Sequence, residues 1–177
     1  FDTLTKAADR WTLVTPSQLA IEFSAAGAPR AMRDRSGNAL GFVVDAGGRI
    51  TRLEASGARS IVLEYDATGL LRRTIDSAGR AVAYAYADGR LVAVTDPTGA
   101  VTRYAYDVSG RLSTVTDALG RVVLSNAYDA GGRVVEQLDA LGGRTSFAYR
   151  ADRVTATTGP RGATTTVAHD LAGRATS

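Results

Sequence analysis

One histidine, a recurring pair of aspartates and seven tyrosines are the residues whose types and spacing could do chemistry. His169 is the sole imidazole in the chain, so a Ser-His-Asp site would have to use it and a multi-histidine metal site is excluded. Cysteine is absent, which removes a thiol nucleophile, a cysteine-ligated zinc site and any disulfide framework. Asp107 and Asp117 invite a glycosidase reading, because paired carboxylates can divide the acid and base roles of glycoside hydrolysis. The tyrosines offer apolar rings with a polar tip, suited to stacking on sugars. Glycine pairs at Gly47-Gly48, Gly131-Gly132 and Gly142-Gly143 would be phosphate loops only between a strand and a helix, and no such context surrounds them.

The aspartates, tyrosines and glycines recur many times and the histidine replaces a recurring tyrosine, which weakens every catalytic reading. The aspartate pair returns as Asp66 and Asp76 and as Asp129 and Asp139. His169 stands where tyrosine stands in other copies, as in Val167-Ala168-His169-Asp170 against Tyr104-Ala105-Tyr106-Asp107. The cause is an internal repeat. Equivalent glycines fall at Gly37, Gly57, Gly79, Gly99, Gly120, Gly142 and Gly162, spaced 20, 22, 20, 21, 22 and 20 residues apart. Weaker copies extend to Ile21-Glu22-Phe23-Ser24 at one end and Gly173-Arg174 at the other. Residues 13–177 thus hold about eight repeats of 20–22 residues, after a lead-in of residues 1–12. The units of Tyr65 and Tyr128 carry one additional residue, the size of a β-bulge.

Alternation within a unit predicts strands. In Val101–Asp107 the residues Thr102, Tyr104 and Tyr106 share one face and Val101, Arg103, Ala105 and Asp107 the other, a period of two rich in β-branched and aromatic side chains. Arg111–Asp117 is a second strand. Between them Asp107-Val108-Ser109-Gly110 reads as a type I turn closing a hairpin with a glycine bulge, and Asp45, Asp66, Asp129 and Asp170 open the same turn. A second Asp-x-x-Gly at Asp76, Asp96, Asp117 and Asp139 reverses the chain into the next hairpin. The expected fold is all-β, an antiparallel meander of about eight tandem hairpins and about sixteen strands in a curved or spiral sheet.

Three ladders follow from the register. One is aromatic (Tyr65, Tyr86, Tyr106, Tyr128 and Tyr149, with Tyr84 and Tyr104 two residues earlier), and one is aliphatic (Ile50, Leu71, Leu91, Leu112, Val134, Val154). The third is Arg49, Arg90, Arg111, Arg133, Arg153 and Arg174, facing turn aspartates that can accept from them. We therefore read Tyr65, Asp66, Gly69, Tyr84, Tyr86, Gly89, Arg90, Tyr104, Tyr106, Asp107, Gly110, Arg111, Tyr128, Asp129, Gly132, Arg133 and Tyr149 as structural repeat positions. No residue is assigned a catalytic, cofactor-binding or metal-ligating role, and no cofactor is expected.

Composition narrows the partners. The 21 basic residues against 18 acidic ones give a net charge of +3, and the arginines are spread along the chain beside acids rather than clustered, which argues against nucleic acid. No stretch approaches the roughly 18 apolar residues of a membrane-spanning helix. The closely spaced Gly-Gly-x-Gly-x-Asp repeats of calcium β-rolls are missing. The chain opens at Phe1 and stops within a repeat at Ser177, and is expected to be a fragment of a larger protein.

Units such as Tyr104–Gly120 (YAYDVSGRLSTVTDALG) resemble YD repeats, the tyrosine-aspartate repeats of the rearrangement-hotspot (Rhs) family found in bacterial polymorphic toxins and in C components of insecticidal toxin complexes. The resemblance implies a β shell, a strip of hairpins spiralling into a cocoon that encloses a C-terminal toxin domain, in a secreted or cell-surface bacterial protein. The implied partners are further repeats of the same protein and the enclosed toxin domain. A cell-surface adhesion or carbohydrate-binding module, with glycans as ligand, is the alternative the same repeats allow. Shells of this family end near an autoproteolytic DPxGL-like motif. Here Asp96-Pro97-Thr98-Gly99 is followed by Ala100 in place of leucine and lies in register as an ordinary repeat turn.

Overall fold

The computed structural model describes residues 1–176, so Ser177, the end of the segment assigned from sequence, lies outside the described residues. Eighteen strands and no helix are formed among the described residues. The chain divides into two compact units, Phe1–Ala85 with Asp96–Thr98, and Tyr86–Thr95 with the residues from Gly99 onward.

The first unit holds β1 (Thr3–Lys6), β2 (Arg10–Val14), β3 (Ala20–Ser24), β4 (Pro29–Arg33), β5 (Ala39–Val44), β6 (Ile50–Ala55), β7 (Arg59–Tyr65), β8 (Leu71–Asp76) and most of β9 (Ala81–Ala87). Each strand pairs antiparallel with the one before it. The lead-in is part of this meander: Leu4 lies opposite Leu13 and Lys6 opposite Trp11, with the Lys6 ammonium 4.8 Å from the centre of the indole. That pairing raises the strand count above the sixteen expected from the repeats.

The second unit holds β10 (Arg90–Thr95), β11 (Val101–Tyr106), β12 (Leu112–Thr116), β13 (Val122–Tyr128), β14 (Val134–Asp139), β15 (Arg144–Tyr149), β16 (Val154–Thr158), β17 (Thr164–His169) and β18 (Ala175–Thr176), again paired antiparallel in chain order. In β11 the half-buried Tyr104 and Tyr106 alternate with exposed Arg103 and Ala105. In β9, Tyr84 and Tyr86 likewise alternate with exposed alanines.

Neither unit has a core of the usual kind. Among the described residues only Ala31 and Ala156 are buried apolar residues, and no side chain is fully enclosed. Single-layer sheets of this sort are held by cross-strand pairs and by what ties one hairpin to the next.

The turns follow one scheme. At Asp107 the aspartate N–H donates to the Arg111 carbonyl at 2.8 Å and the Gly110 N–H donates to the Asp107 carbonyl at 2.9 Å, with Gly110 at φ +77°. The ladder then slips by one residue beside the turn, between Ala105 and Tyr106. Equivalent slips stand beside Val44, Tyr65 and Tyr128. The hairpin at Asp88-Gly89 is one residue shorter, with both residues at positive φ (+50° and +74°), the geometry of a two-residue hairpin turn.

The two longer units solve their additional residue differently. In the Tyr128 unit it is a bulge, where Thr116 faces Val122 but Val115 faces Leu124. In the Tyr65 unit the β6–β7 ladder runs without a slip and the residue sits in the turn as Ala58, at φ +57° directly after Gly57. A left-handed conformation costs a residue with a Cβ about 1–2 kcal/mol, partly offset by the entropy glycine loses on folding. Ala58→Gly is therefore expected to stabilise the first unit by about 0.5–1 kcal/mol, read as a rise in the denaturant midpoint at unchanged m-value.

Candidate functional site

The turn aspartates are consumed by their own hairpins. Oδ1 of Asp107 accepts the backbone N–H groups of Ser109 and Arg111, both at 2.9 Å, and Oδ2 accepts Nε of Arg111 at 2.7 Å. Asp45 with Arg49, Asp129 with Arg133 and Asp170 with Arg174 repeat the arrangement. Asp66 lacks an arginine, because Leu70 follows its glycine, and is held instead by the Thr68 hydroxyl at 2.7 Å. The turns between repeats carry the same pairing, Asp76 with Arg80 and Asp117 with Arg121, which the arginine ladder read from the sequence did not include.

These contacts set the carboxyl pKa values. The backbone N–H of Arg111, then its guanidinium, hold Asp107 below the ordinary carboxylate value. At Asp117 the Arg121 side chain is the largest cause and acts in the same direction. A glycosidase acid needs its pKa raised, so the Asp107–Asp117 pair is displaced the wrong way. His169 ends β17, half-buried, with its backbone N–H donating to the Arg153 carbonyl at 3.0 Å.

Depressed carboxylates make stability depend on pH. The native state favours the ionised form, so the stabilisation is complete above the unfolded-state value of about 3.9 and is lost as pH falls through the lower folded-state values. Asp45, Asp66, Asp76, Asp107, Asp117, Asp129 and Asp170 all shift this way. Urea midpoints are expected to be flat from neutrality to about pH 5 and to fall below pH 4, with the fall reduced in Asp107→Asn.

The arginines reach beyond their own turn. Arg111 bonds Asp107, lies over the Tyr128 ring with its Cζ 4.5 Å from the centroid, and donates from Nη1 to the Asp129 carbonyl at 3.2 Å. Arg133 lies over Tyr149 at 4.5 Å, Arg90 over Tyr106 at 6.0 Å, and Arg49 over Tyr65 at 5.2 Å. Each tyrosine hydroxyl returns the link, donating to the carbonyl of the residue that follows that arginine. Tyr65 reaches Ile50 at 2.6 Å, Tyr106 reaches Leu91 at 2.8 Å, Tyr128 reaches Leu112 at 2.7 Å and Tyr149 reaches Val134 at 2.7 Å. The guanidinium packs against the turn glycine: a Cβ on Gly69 would touch Nη1 of Arg49 at 3.5 Å and one on Gly132 Nη1 of Arg111 at 3.7 Å, whereas one on Gly110 would crowd Cζ of Arg90 at 2.9 Å.

At Arg49, Arg111 and Arg133 the Asp, Gly, Arg and Tyr of the repeat thus form one device, an arginine fixed by its own turn and clamped onto the tyrosine of the next hairpin. Arg153 is not one of these arginines, contrary to its place in the sequence ladder. The Arg150 N–H donates to the Val154 carbonyl as Asp107 does to Arg111, and Arg153 stands at φ +61° where Gly110 stands. Val154 therefore occupies the clamp position and Arg150 the aspartate position.

Residues 86–122 and 128–164 match the family model described as RHS Repeat. Double-stranded DNA deaminase toxin A of Burkholderia cenocepacia (strain H111) is 32% identical over 151 residues, which are 83% of this chain and 10% of that protein. The chain spans about a tenth of the length of that curated relative. Two solved structures share the fold. The TcdB2-TccC3-Cdc42 crystal structure superposes with a TM-score of 0.57 at 18% identity, over 96% of this chain and 10% of that one. The Photorhabdus luminescens Tc holotoxin pore does so with a TM-score of 0.55 at 18% identity, over the same shares. With one turn-and-clamp grammar recurring in both units and two stretches matched by the family model, residues 86–122 and 128–164 of this chain belong to the RHS-repeat family.

Proposed function

We propose that the chain is a non-catalytic wall segment of a β shell that encloses a C-terminal toxin domain in a secreted bacterial polymorphic toxin. In this reading residues 1–177 are one repeat segment of a larger protein, and its partners are the neighbouring repeats and the enclosed domain. The observation that supports it most is the clamp. Each unit is one layer thick and is held by bonds from hairpin to hairpin, so the wall stands on its own contacts and does not rely on a particular cargo. In this reading the repeat positions are structural: Tyr65, Tyr106, Tyr128 and Tyr149 with Arg90, Arg111 and Arg133 serve as the tie, and the aspartates and glycines as its turn.

The carbohydrate-binding reading is less well supported. A guanidinium lies over the ring at Tyr65, Tyr106, Tyr128 and Tyr149, which removes a face that would stack on a sugar.

Limited proteolysis of the protein that carries this segment together with its C-terminal domain tests the proposal. The C-terminal domain is expected to resist protease while the wall is intact and to be digested in step with the repeats in a Gly110→Val variant. Digestion of the C-terminal domain at the same rate in both proteins, with the repeats still intact, would contradict it.

A further inference from the structure

The clamp fails at one place in the second unit, where Val154 holds the clamp position and Arg150 the aspartate position. Between the β15–β16 turn and the end of β17, Val154 cannot reach forward as Arg111 and Arg133 do, and His169 stands in for the tyrosine. A groove of about 280 Å³ lies there, lined by Arg150, Arg153, His169 and Asp170, with Arg133 and Tyr149 along its side.

The charges around it do not balance. Arg133 is held by Asp129 and lies over Tyr149, and Asp170 is held by Arg174. Asp152 uses Oδ1 to accept the Val154 N–H at 3.3 Å. Among the described residues no carboxylate lies within ion-pair distance of Arg150 or Arg153. The hairpin turns of Arg49, Arg111 and Arg133 each pair one aspartate with one arginine. This turn puts an arginine at the aspartate position and a second one at the glycine position against a single carboxylate, Asp152, so it carries one positive charge in excess. Arg153 keeps this place despite a left-handed φ of +61°, a conformation that glycine adopts in most of the other turns.

We propose that Arg150, Arg153 and His169 form a docking point for the carboxylate of an acidic peptide segment on a partner protein. Two guanidinium groups give a carboxylate forked, charge-assisted donors, and an imidazole beside them adds a further donor.

Glutarate serves as the probe, titrated into the full chain while the His169 ring signals are followed by NMR, with uncharged glutaramide as control. A saturable shift with glutarate and none with glutaramide is expected. The apparent affinity should weaken about fivefold or more in Arg150→Gln and in Arg153→Gly, where a charge-assisted bond is lost. Arg161→Gln, in the turn at the far end of β16, should leave it unchanged. Arg153→Gly removes the charge while relieving the strained φ, so a loss of binding there is not a loss of folding. No saturable shift, or an equal response in all three variants, would overturn the proposal. Inorganic phosphate saturating at lower concentration than glutarate would overturn the assignment to a carboxylate.

Discussion

Gly110→Val should destabilise the second unit by about 2–4 kcal/mol, while Ala105→Val, five residues earlier, should change its stability by less than about 0.5 kcal/mol. Two separate costs meet at Gly110. Its φ of +77° lies in the left-handed region, where a β-branched residue is strained by about 1–3 kcal/mol. A Cβ there would also lie 2.9 Å from Cζ and 3.0 Å from Nε of Arg90, so the guanidinium, the mobile end of its side chain, must shift from beside Tyr106 at a cost smaller than the backbone strain. Ala105 is exposed in mid-strand, where valine is well tolerated. Thermal or urea unfolding of the two variants measures the contrast. Equal shifts would mean that the hairpin and its clamp are not arranged as described.

Tyr128→Ala should cost about 2–3 kcal/mol, below the range for a fully enclosed aromatic because the ring is only half-buried. The loss has parts that can be separated. Tyr128→Phe removes only the 2.7 Å bond to the Leu112 carbonyl and should cost about 1 kcal/mol. That carbonyl also accepts from Nδ2 of Asn126 at 3.1 Å, which softens the loss. Arg111→Gln removes the cation over the ring, a contact of about 0.5–1 kcal/mol at a part-exposed site. A double-mutant cycle between Arg111 and Tyr128 should give a coupling of that size, whereas Arg111 with Tyr149 should be additive, because the clamp joins only successive hairpins.

The hairpins were legible in the sequence because their causes are local. An aspartate three residues before a glycine specifies the turn through its own backbone bonds, and period-two alternation specifies the strands on either side. The clamp was only half legible. That Arg111 would bond Asp107 follows from a four-residue separation, but its seat over Tyr128 depends on where the register slips beside each turn. Residues sixteen or seventeen apart cannot be matched until those slips are known. The tyrosines consequently read as a ladder stacked with cross-strand partners, whereas their hydroxyls tie to backbone carbonyls and their faces to arginines. Arg153 shows the same limit. Beside Val154 it looks like Arg111 beside Leu112, and only the Arg150 to Val154 hydrogen bond places it at the glycine position. Ala58 is a third case, since one additional residue can enter a strand as a bulge or a turn as a left-handed residue, and spacing alone does not separate the two.

Cryo-electron microscopy of the protein that carries this segment together with its C-terminal domain tests the central claim most directly. The account predicts that these hairpins, tied Arg111 to Tyr128 and Arg133 to Tyr149, form part of a wall with density for the C-terminal domain on its inner side. A C-terminal domain held outside the repeats, or a segment whose tyrosines face open solvent with no arginine over them, would contradict it.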